Sequence, residues 1–97
     1  MPEKLLTPTQ LFTLKVPEPA NLNLCPPGIY KSDSLIKIEN TPTDSYGIII
    51  STEHKVSNEL TIKSQLYFEI SGTETGKQKI YWRNCLGDIW GPWGNFL

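Results

Sequence analysis

The chain has 97 residues, with 9 Lys and Arg against 10 Asp and Glu, so its formal net charge is −1 at pH 7. This near-neutral balance offers no basic field to phosphate backbones or anionic lipids, and we expect no nucleic-acid partner. The longest apolar run, about residues 46–50, is far shorter than the roughly 20 residues of a membrane helix, so we also expect no membrane insertion.

Residues 1–20 are predicted to form an N-terminal arm with a short helix. Thr7 and Gln10 have the spacing of a capping box, and Pro8 suits the first helical position. The proline-rich residues 16–20 end this helix, and we expect them to be a stiff, extended spacer outside the core.

Strands are predicted throughout the second region, residues 21–97. Two segments, residues 28–38 and 46–52, are rich in β-branched side chains and are separated by turn-forming residues. Along residues 60–70, apolar and polar side chains alternate with a period of two, which a helix cannot produce. The predicted fold class is therefore mainly β: a small antiparallel sheet or sandwich with a short N-terminal helix or arm.

The alternating strand is expected to pair with the chain that follows a loop at residues 71–77. In the register that we predict, Leu66 lies opposite Trp82 and Tyr67 lies opposite Tyr81, so that side chains of similar character meet. We assign the first pair to the core face of the sheet and the second pair to its outer face.

A tight hairpin turn is predicted next, at Gly87 and Asp88, because glycine adopts positive φ without steric cost. Continuing the count across this turn pairs Cys85 with Trp90 and Trp82 with Trp93, which places Trp90 on the outer face and Trp93 in the core. Pro92 indicates an edge or a β-bulge at this point, because proline cannot donate a hydrogen bond to the ladder.

These assignments define a predicted core and a predicted surface stripe. The core residues are Leu66, Phe68, Trp82 and Trp93. The stripe residues are Tyr67, Tyr81, Arg83, Asp88 and Trp90. Sugar rings lie flat against aromatic side chains while charged groups bind their hydroxyls, so the stripe is a candidate surface for glycan or for a partner. The alternative is that these rings pack the sheet against a neighbouring subunit, since Trp is buried on average.

The sequence does not indicate an enzyme. It contains no Gly-x-Ser-x-Gly elbow, no phosphate-binding glycine loop and no cysteine with a convincing histidine base. Cys25 and Cys85 lack the spacing of a metal site, and we expect both to be free thiols. A binding protein without catalytic residues, metal or cofactor is therefore predicted.

Several short motifs, taken in order over residues 21–97, resemble the knob domain of phage tail fibres and R-type pyocin fibres. They are Pro26-Pro27-Gly28-Ile29-Tyr30, the stretch from Pro42 through Ile50, Gln65-Leu66-Tyr67-Phe68, Ile80-Tyr81-Trp82-Arg83 and Trp90-Gly91-Pro92-Trp93. Trp82 departs from the family pattern, which usually has an aliphatic residue at this position.

The resemblance implies a β-rich module at a tail extremity, commonly trimeric, with host-surface recognition as its usual role. Our first hypothesis is a phage or phage-derived tail protein, made in the bacterial cytoplasm and located in the virion tail, that attaches to a bacterial surface glycan. The alternative is a structural adaptor of the tail or baseplate that docks other virion proteins. The expected partners are identical subunits, most simply in a trimer, and other tail proteins.

Overall fold

The computed structural model describes residues 13–32, 36–70 and 79–96 and contains one antiparallel, six-stranded sheet. Its strands are β1 (Gly28–Ser32), β2 (Gly47–Lys55), β3 (Thr61–Glu69), β4 (Ile80–Leu86), β5 (Ile89–Trp90) and β6 (Gly94–Phe96). Strands β1 to β4 are neighbours in chain order, and β5 and β6 both pair with β4. The mainly β prediction is confirmed, in the form of one sheet whose covering layer is irregular chain.

Two predicted elements fall outside the described residues. These are the capping box at Thr7 and Gln10 and the loop at residues 71–77. The helical element within the described residues is a single 3₁₀ turn, Leu22–Leu24, which Asn21 caps by accepting a hydrogen bond from the Asn23 amide.

The predicted strand register is confirmed. Leu66 lies opposite Trp82 and Tyr67 lies opposite Tyr81 in the β3–β4 pair. The predicted turn is present as well, because β4 and β5 are joined through Gly87, whose φ is +65°. Alternation and turn chemistry are local properties of the sequence, and they determined both features correctly.

The two faces of the sheet are the reverse of the prediction. Tyr67 is 0% exposed and Arg83 is 4% exposed, whereas Trp82 is 42% exposed. Leu66 and Phe68 lie on the same face as Trp82 and are only half-buried. The assignment of these three residues to the core is therefore wrong, as is the assignment of Tyr67 and Arg83 to the surface.

The cause of this reversal is the segment at residues 13–25, which covers the Tyr67 face. Pro17 and Leu22 are fully buried there, and the Lys15 carbonyl accepts a hydrogen bond of 2.9 Å from the Lys31 amide of β1. The prediction that residues 16–20 are a spacer outside the core is wrong, because Val16 and Ala20 also pack against the core.

The core lies between this covering segment and the Tyr67 face. The buried cluster consists of Leu22, Cys25, Ile38, Ile49 and Tyr67, with Val16, Ala20, Tyr30, Tyr81 and Trp93 packed against it. Cys25 and Cys85 are buried and free, as predicted.

A one-residue bulge separates β5 from β6, at the place where Pro92 indicated an edge or a bulge. Cys85 pairs with Trp90, but Trp82 pairs with Gly94, so β4 advances three residues while the other strand advances four. An odd shift moves a side chain to the other face of a sheet, so Trp93 lies on the Arg83 side and not beside Trp82. Trp93 belongs to the core as predicted, with its ring centroid 6.4 Å from that of Tyr67.

Gly47→Ala is expected to destabilise the fold by about 2 kcal/mol, because overpacking a filled site costs roughly 1–3 kcal/mol. A Cβ at Gly47 would overlap the Tyr67 ring and would lie 2.9 Å from the Phe68 carbonyl oxygen. Gly91→Ala is the matched control, since its Cβ would lie 3.5 Å from the nearest atom, in ordinary contact. Urea unfolding of both variants measures the difference, and equal stabilities would contradict the close packing of β2 on Tyr67.

Candidate functional site

The structure does not assemble the predicted stripe on one exposed surface. Tyr67 and Arg83 are buried, Tyr81 and Trp90 are half-buried, and Asp88 is exposed in the β4–β5 turn. The alternation had placed the tyrosines, the arginine and the tryptophan on one face of the sheet, which is correct, but that face carries the covering segment. Trp90 and Asp88 are the stripe residues that still offer accessible aromatic and acidic groups near each other in sequence.

Arg83 is held between two tryptophans. Its guanidinium carbon lies 3.9 Å from the centroid of the Trp90 ring and 4.6 Å from that of Trp93. Its Nε donates a hydrogen bond of 2.9 Å to Gln65, whose amide nitrogen donates a bond of 2.6 Å to the Leu22 carbonyl. Cation–π contacts of this kind are favourable and strengthen as water is removed.

Burial also affects the charge of this arginine. Desolvation lowers the pKa of Arg83 to about 10, because the charged guanidinium has left water. Its Nη2 atom has no hydrogen-bond partner among the described residues. We infer that Arg83 joins β4, β3 and the C-terminal tryptophans as a structural element, and that it is too deeply buried to touch a ligand at the surface.

The hydroxyl of Tyr67 closes a second buried polar network. It shares a hydrogen bond of 2.7 Å with Ser32 Oγ and donates to the Ser45 carbonyl. Burial raises the pKa of Tyr67, and the nearby Glu69 and Asp44 carboxylates raise it further. Burial likewise raises the pKa of the Cys25 thiol. Both groups are thus held in their neutral forms in the folded protein.

Stability is expected to fall as the pH rises above about 10, the ordinary pKa of tyrosine. A group whose pKa is raised by folding stabilises the protein fully below its unfolded pKa and loses that contribution as the pH rises through the folded pKa. Tyr67→Phe removes this titrating group, so the free energy of unfolding of the variant should fall less steeply between pH 9 and 11 than that of the wild type. Urea titrations across this range measure the slope, and parallel curves would contradict the assignment.

The opposite face of the sheet presents apolar side chains that the described residues leave largely uncovered. We call it the open face. Its members are Ile29, Ile48, Ile50, Ile62, Leu66, Phe68, Ile80, Trp82, Leu86 and Ile89. Leu86 and Ile89, at 60% and 77% exposed, stand out furthest, and the strands that carry them pair directly. The strand register places all of these side chains on one side of the sheet, whereas the stripe residues do not form one exposed surface.

A polar row crosses the open face and satisfies its own hydrogen bonds. Ser64 Oγ donates to Asn84 Oδ1 at 2.8 Å, and Thr52 Oγ1 donates to the Ser64 carbonyl at 3.3 Å. Polar groups that are already paired can be removed from water at much lower cost than unpaired ones. The row therefore does not prevent the open face from being buried against another protein.

The size of the open face is consistent with an interaction surface. Four strands spaced about 4.8 Å apart, with residues rising about 3.3 Å each, give roughly 20 Å by 20 Å, on the order of 400 Å². The polar row divides this area into two apolar zones, and exposed apolar zones bordered by polar residues commonly mark sites of protein contact. Sequence reasoning missed this surface, although one signal was present: Ile48, Ile49 and Ile50 are consecutive, and an uninterrupted apolar run is typical of a strand that is buried on both faces.

Within the residues that the structure describes, no group of His, Cys, Asp and Glu side chains is arranged to hold a metal ion. The same residues include no helix of the length and apolarity needed to cross a membrane. No protein-family model, curated protein or solved structure matches this chain. The open face and the pockets of the sheet are therefore the features from which a function can be argued.

Proposed function

We propose that this protein is a structural subunit of a phage or phage-derived tail, assembled into a homo-oligomer through its open face. The observation that carries the proposal is the exposure of Trp82, Leu86 and Ile89 on one face of the sheet. The resemblance to tail-fibre knob domains supplies the setting in the tail, and a face that meets its own copy predicts a two-fold dimer in place of the trimer that the resemblance implies. This role corresponds to the structural alternative considered from the sequence and gives the identical subunit as the first partner.

An identical copy is a suitable occupant of the open face because the surface is self-complementary. Along the strands it runs from an apolar zone at Phe68, through the polar row at Ser64, to a second apolar zone at Ile62. Symmetric association of like surfaces can match apolar zone to apolar zone and polar row to polar row. Burial of a large apolar side chain contributes roughly 1.5–3 kcal/mol, so a few such contacts stabilise a small domain appreciably.

Association through the sheet edges is less favourable than association through the open face. At one edge, the bulge and Pro92 interrupt the strand formed by β5 and β6. At the other edge, the Lys15 carbonyl already accepts a hydrogen bond from the outward-facing Lys31 amide of β1. Blocked and interrupted edges discourage strand addition, which leaves the face as the route of assembly.

The proposal is tested by the mass of the full chain in solution and by its presence in particles. Light scattering should give an oligomer, and a tagged copy produced during phage growth should be recovered in purified virions. Deletion of residues 1–20 tests the contribution of the N-terminal arm separately from that of the open face. The deletion also removes Val16 and Pro17 from the core, so circular dichroism must show that the variant is folded. A monomeric wild-type protein that is excluded from particles would overturn the proposal.

As a second candidate we propose attachment to a bacterial surface glycan through Trp90 and Asp88. The Trp90 ring is half-buried, with Arg83 stacked on it, and the exposed Asp88 carboxylate lies two residues before it. A glycan panel probed with the wild-type protein and with Trp90→Ala tests this role, with Trp82→Ala on the opposite face as control. Retained binding by Trp90→Ala would exclude this site, and absence of any glycan signal would exclude attachment.

A further inference from the structure

An open pocket of about 270 Å³ lies at the end of β1, between the segment at residues 36–38 and the turn at residues 41–46. Its mouth is formed by Tyr46, which is 51% exposed, and by the exposed Ile36. The fully buried Tyr67 lies behind it, with its hydroxyl hydrogen-bonded to Ser32. The pocket is on a different part of the molecule from both the open face and Trp90.

The wall of the pocket at residues 40–46 is hydrogen-bonded to the rest of the fold at three points. Trp93 Nε1 donates a hydrogen bond of 2.9 Å to the Asn40 carbonyl, and Thr43 Oγ1 donates one of 3.1 Å to Glu69. The Tyr46 carbonyl accepts a bond of 2.7 Å from the Ile70 amide at the end of β3. A site whose groups are already fixed loses less conformational entropy when it binds a ligand.

The chemistry of the lining combines one flat aromatic wall with several polar groups. Tyr46 and Ile36 provide the apolar surface, the Asp44 carboxylate accepts hydrogen bonds, and the Lys37 ammonium donates them. Thr41 adds a hydroxyl that can do both. Ligand sites commonly show this pattern of an apolar wall with a few fixed polar groups, at volumes of roughly 300–1,000 Å³ for larger ligands, so a pocket of this size suits a single small ring.

We propose that this pocket binds one neutral pyranose unit of a glycan, with the apolar face of the sugar on Tyr46 and its hydroxyls on Asp44 and Lys37. A pyranose has both an apolar C–H face and a rim of hydroxyls that donate and accept, which matches the lining. The inference rests on the attachment role, the second candidate above, and assigns it to a new site; the structural role does not depend on it.

The test uses the full chain and the methyl glycosides of glucose, galactose, mannose and N-acetylglucosamine as probes, with binding measured by saturation-transfer NMR and titration. Tyr46→Ala and Asp44→Asn should each weaken binding of the responding glycoside about tenfold or more, since loss of about 1.4 kcal/mol is tenfold in affinity. Glu59→Gln, a carboxylate change at an exposed position outside the pocket, should leave the affinity unchanged. Circular dichroism confirms that each variant is folded.

Two results would overturn the inference. Loss of binding with Trp90→Ala, together with full binding by Tyr46→Ala, would show that the attachment site is at Trp90 and not in the pocket. The attachment role itself would still hold. Absence of binding of every glycoside to the wild-type protein would remove both sites. The solution mass and the incorporation into particles decide the structural role separately from either outcome.

Discussion

Trp82→Asp is expected to yield a folded monomer in place of the homo-oligomer that we propose. Trp82 lies near the middle of the open face, between Leu66 on β3 and Gly94 on β6, and a carboxylate there would be removed from water without a partner. Central aromatic residues of interfaces typically contribute 2 kcal/mol or more, and an unpaired buried charge adds a further penalty. We therefore expect the dissociation constant to rise at least about 30-fold, which is about 2 kcal/mol.

The measurement is sedimentation velocity over a concentration series, with circular dichroism to verify the fold. Thr52→Asp is the matched control. Thr52 lies on the same face, in the exposed part of the polar row, and the substitution introduces the same negative charge. It should weaken association much less than the central substitution. An oligomer that persists unchanged with Trp82→Asp would show that the subunits meet elsewhere.

Tyr67→Ala is expected to lower the free energy of unfolding by about 4 kcal/mol, since truncation of a large buried aromatic residue typically costs about 3–5 kcal/mol. Tyr67 is 0% exposed and contacts the rings of Tyr81 and Trp93, with centroids 6.3 Å and 6.4 Å away. A domain of this kind is stable by only about 5–15 kcal/mol, so the variant approaches the limit of folding.

The neighbouring residue in sequence is the control for this prediction. Phe68 points to the open face, so Phe68→Ala, measured in the monomeric Trp82→Asp background, should cost about 1 kcal/mol, in keeping with partial burial. Tyr67→Phe should also cost about 1 kcal/mol, because it removes only the hydroxyl network with Ser32 and Ser45. A greater loss with Phe68→Ala than with Tyr67→Ala would mean that the core lies on the open face after all.

These two predictions express the main consequence of the face reversal. Tyr67 and Arg83, which the sequence indicated as part of a binding stripe, are buried. Leu66, Phe68 and Trp82, which it indicated as core, lie on the open face. The buried set is unusual for a core, because Gln65 and Arg83 belong to it, and both are retained through hydrogen bonds and stacking.

Some features of the site were predictable from neighbouring residues alone. Gly87 indicated the hairpin turn, and Pro92 indicated the interruption between β5 and β6. The pairing of Cys85 with Trp90 followed from counting across that turn. The position of Trp93 did not follow from this count, because one additional residue in the bulge reverses the face of every residue beyond it.

Other features depended on contacts between distant parts of the chain. The Trp93 ring nitrogen reaches the Asn40 carbonyl, and the Gln65 amide reaches the Leu22 carbonyl. No local pattern marks such bonds, so the hydrogen-bonded wall of the pocket and the burial of Arg83 were not foreseen. The proline-rich stretch was misjudged for the same reason, since proline stiffness does not determine whether Pro17 meets water or the core.

By itself, the amino-acid sequence determined that this chain forms antiparallel strands, where they turn, and which residues face each other across them. Those properties depend on the alternation of side chains and on the backbone preferences of a few glycines and prolines. Only the tertiary structure decided which face of the sheet became the interior. Alternation separates side chains into two sets without ranking them, and burial of one set depends on the placement of residues 13–25 over Tyr67.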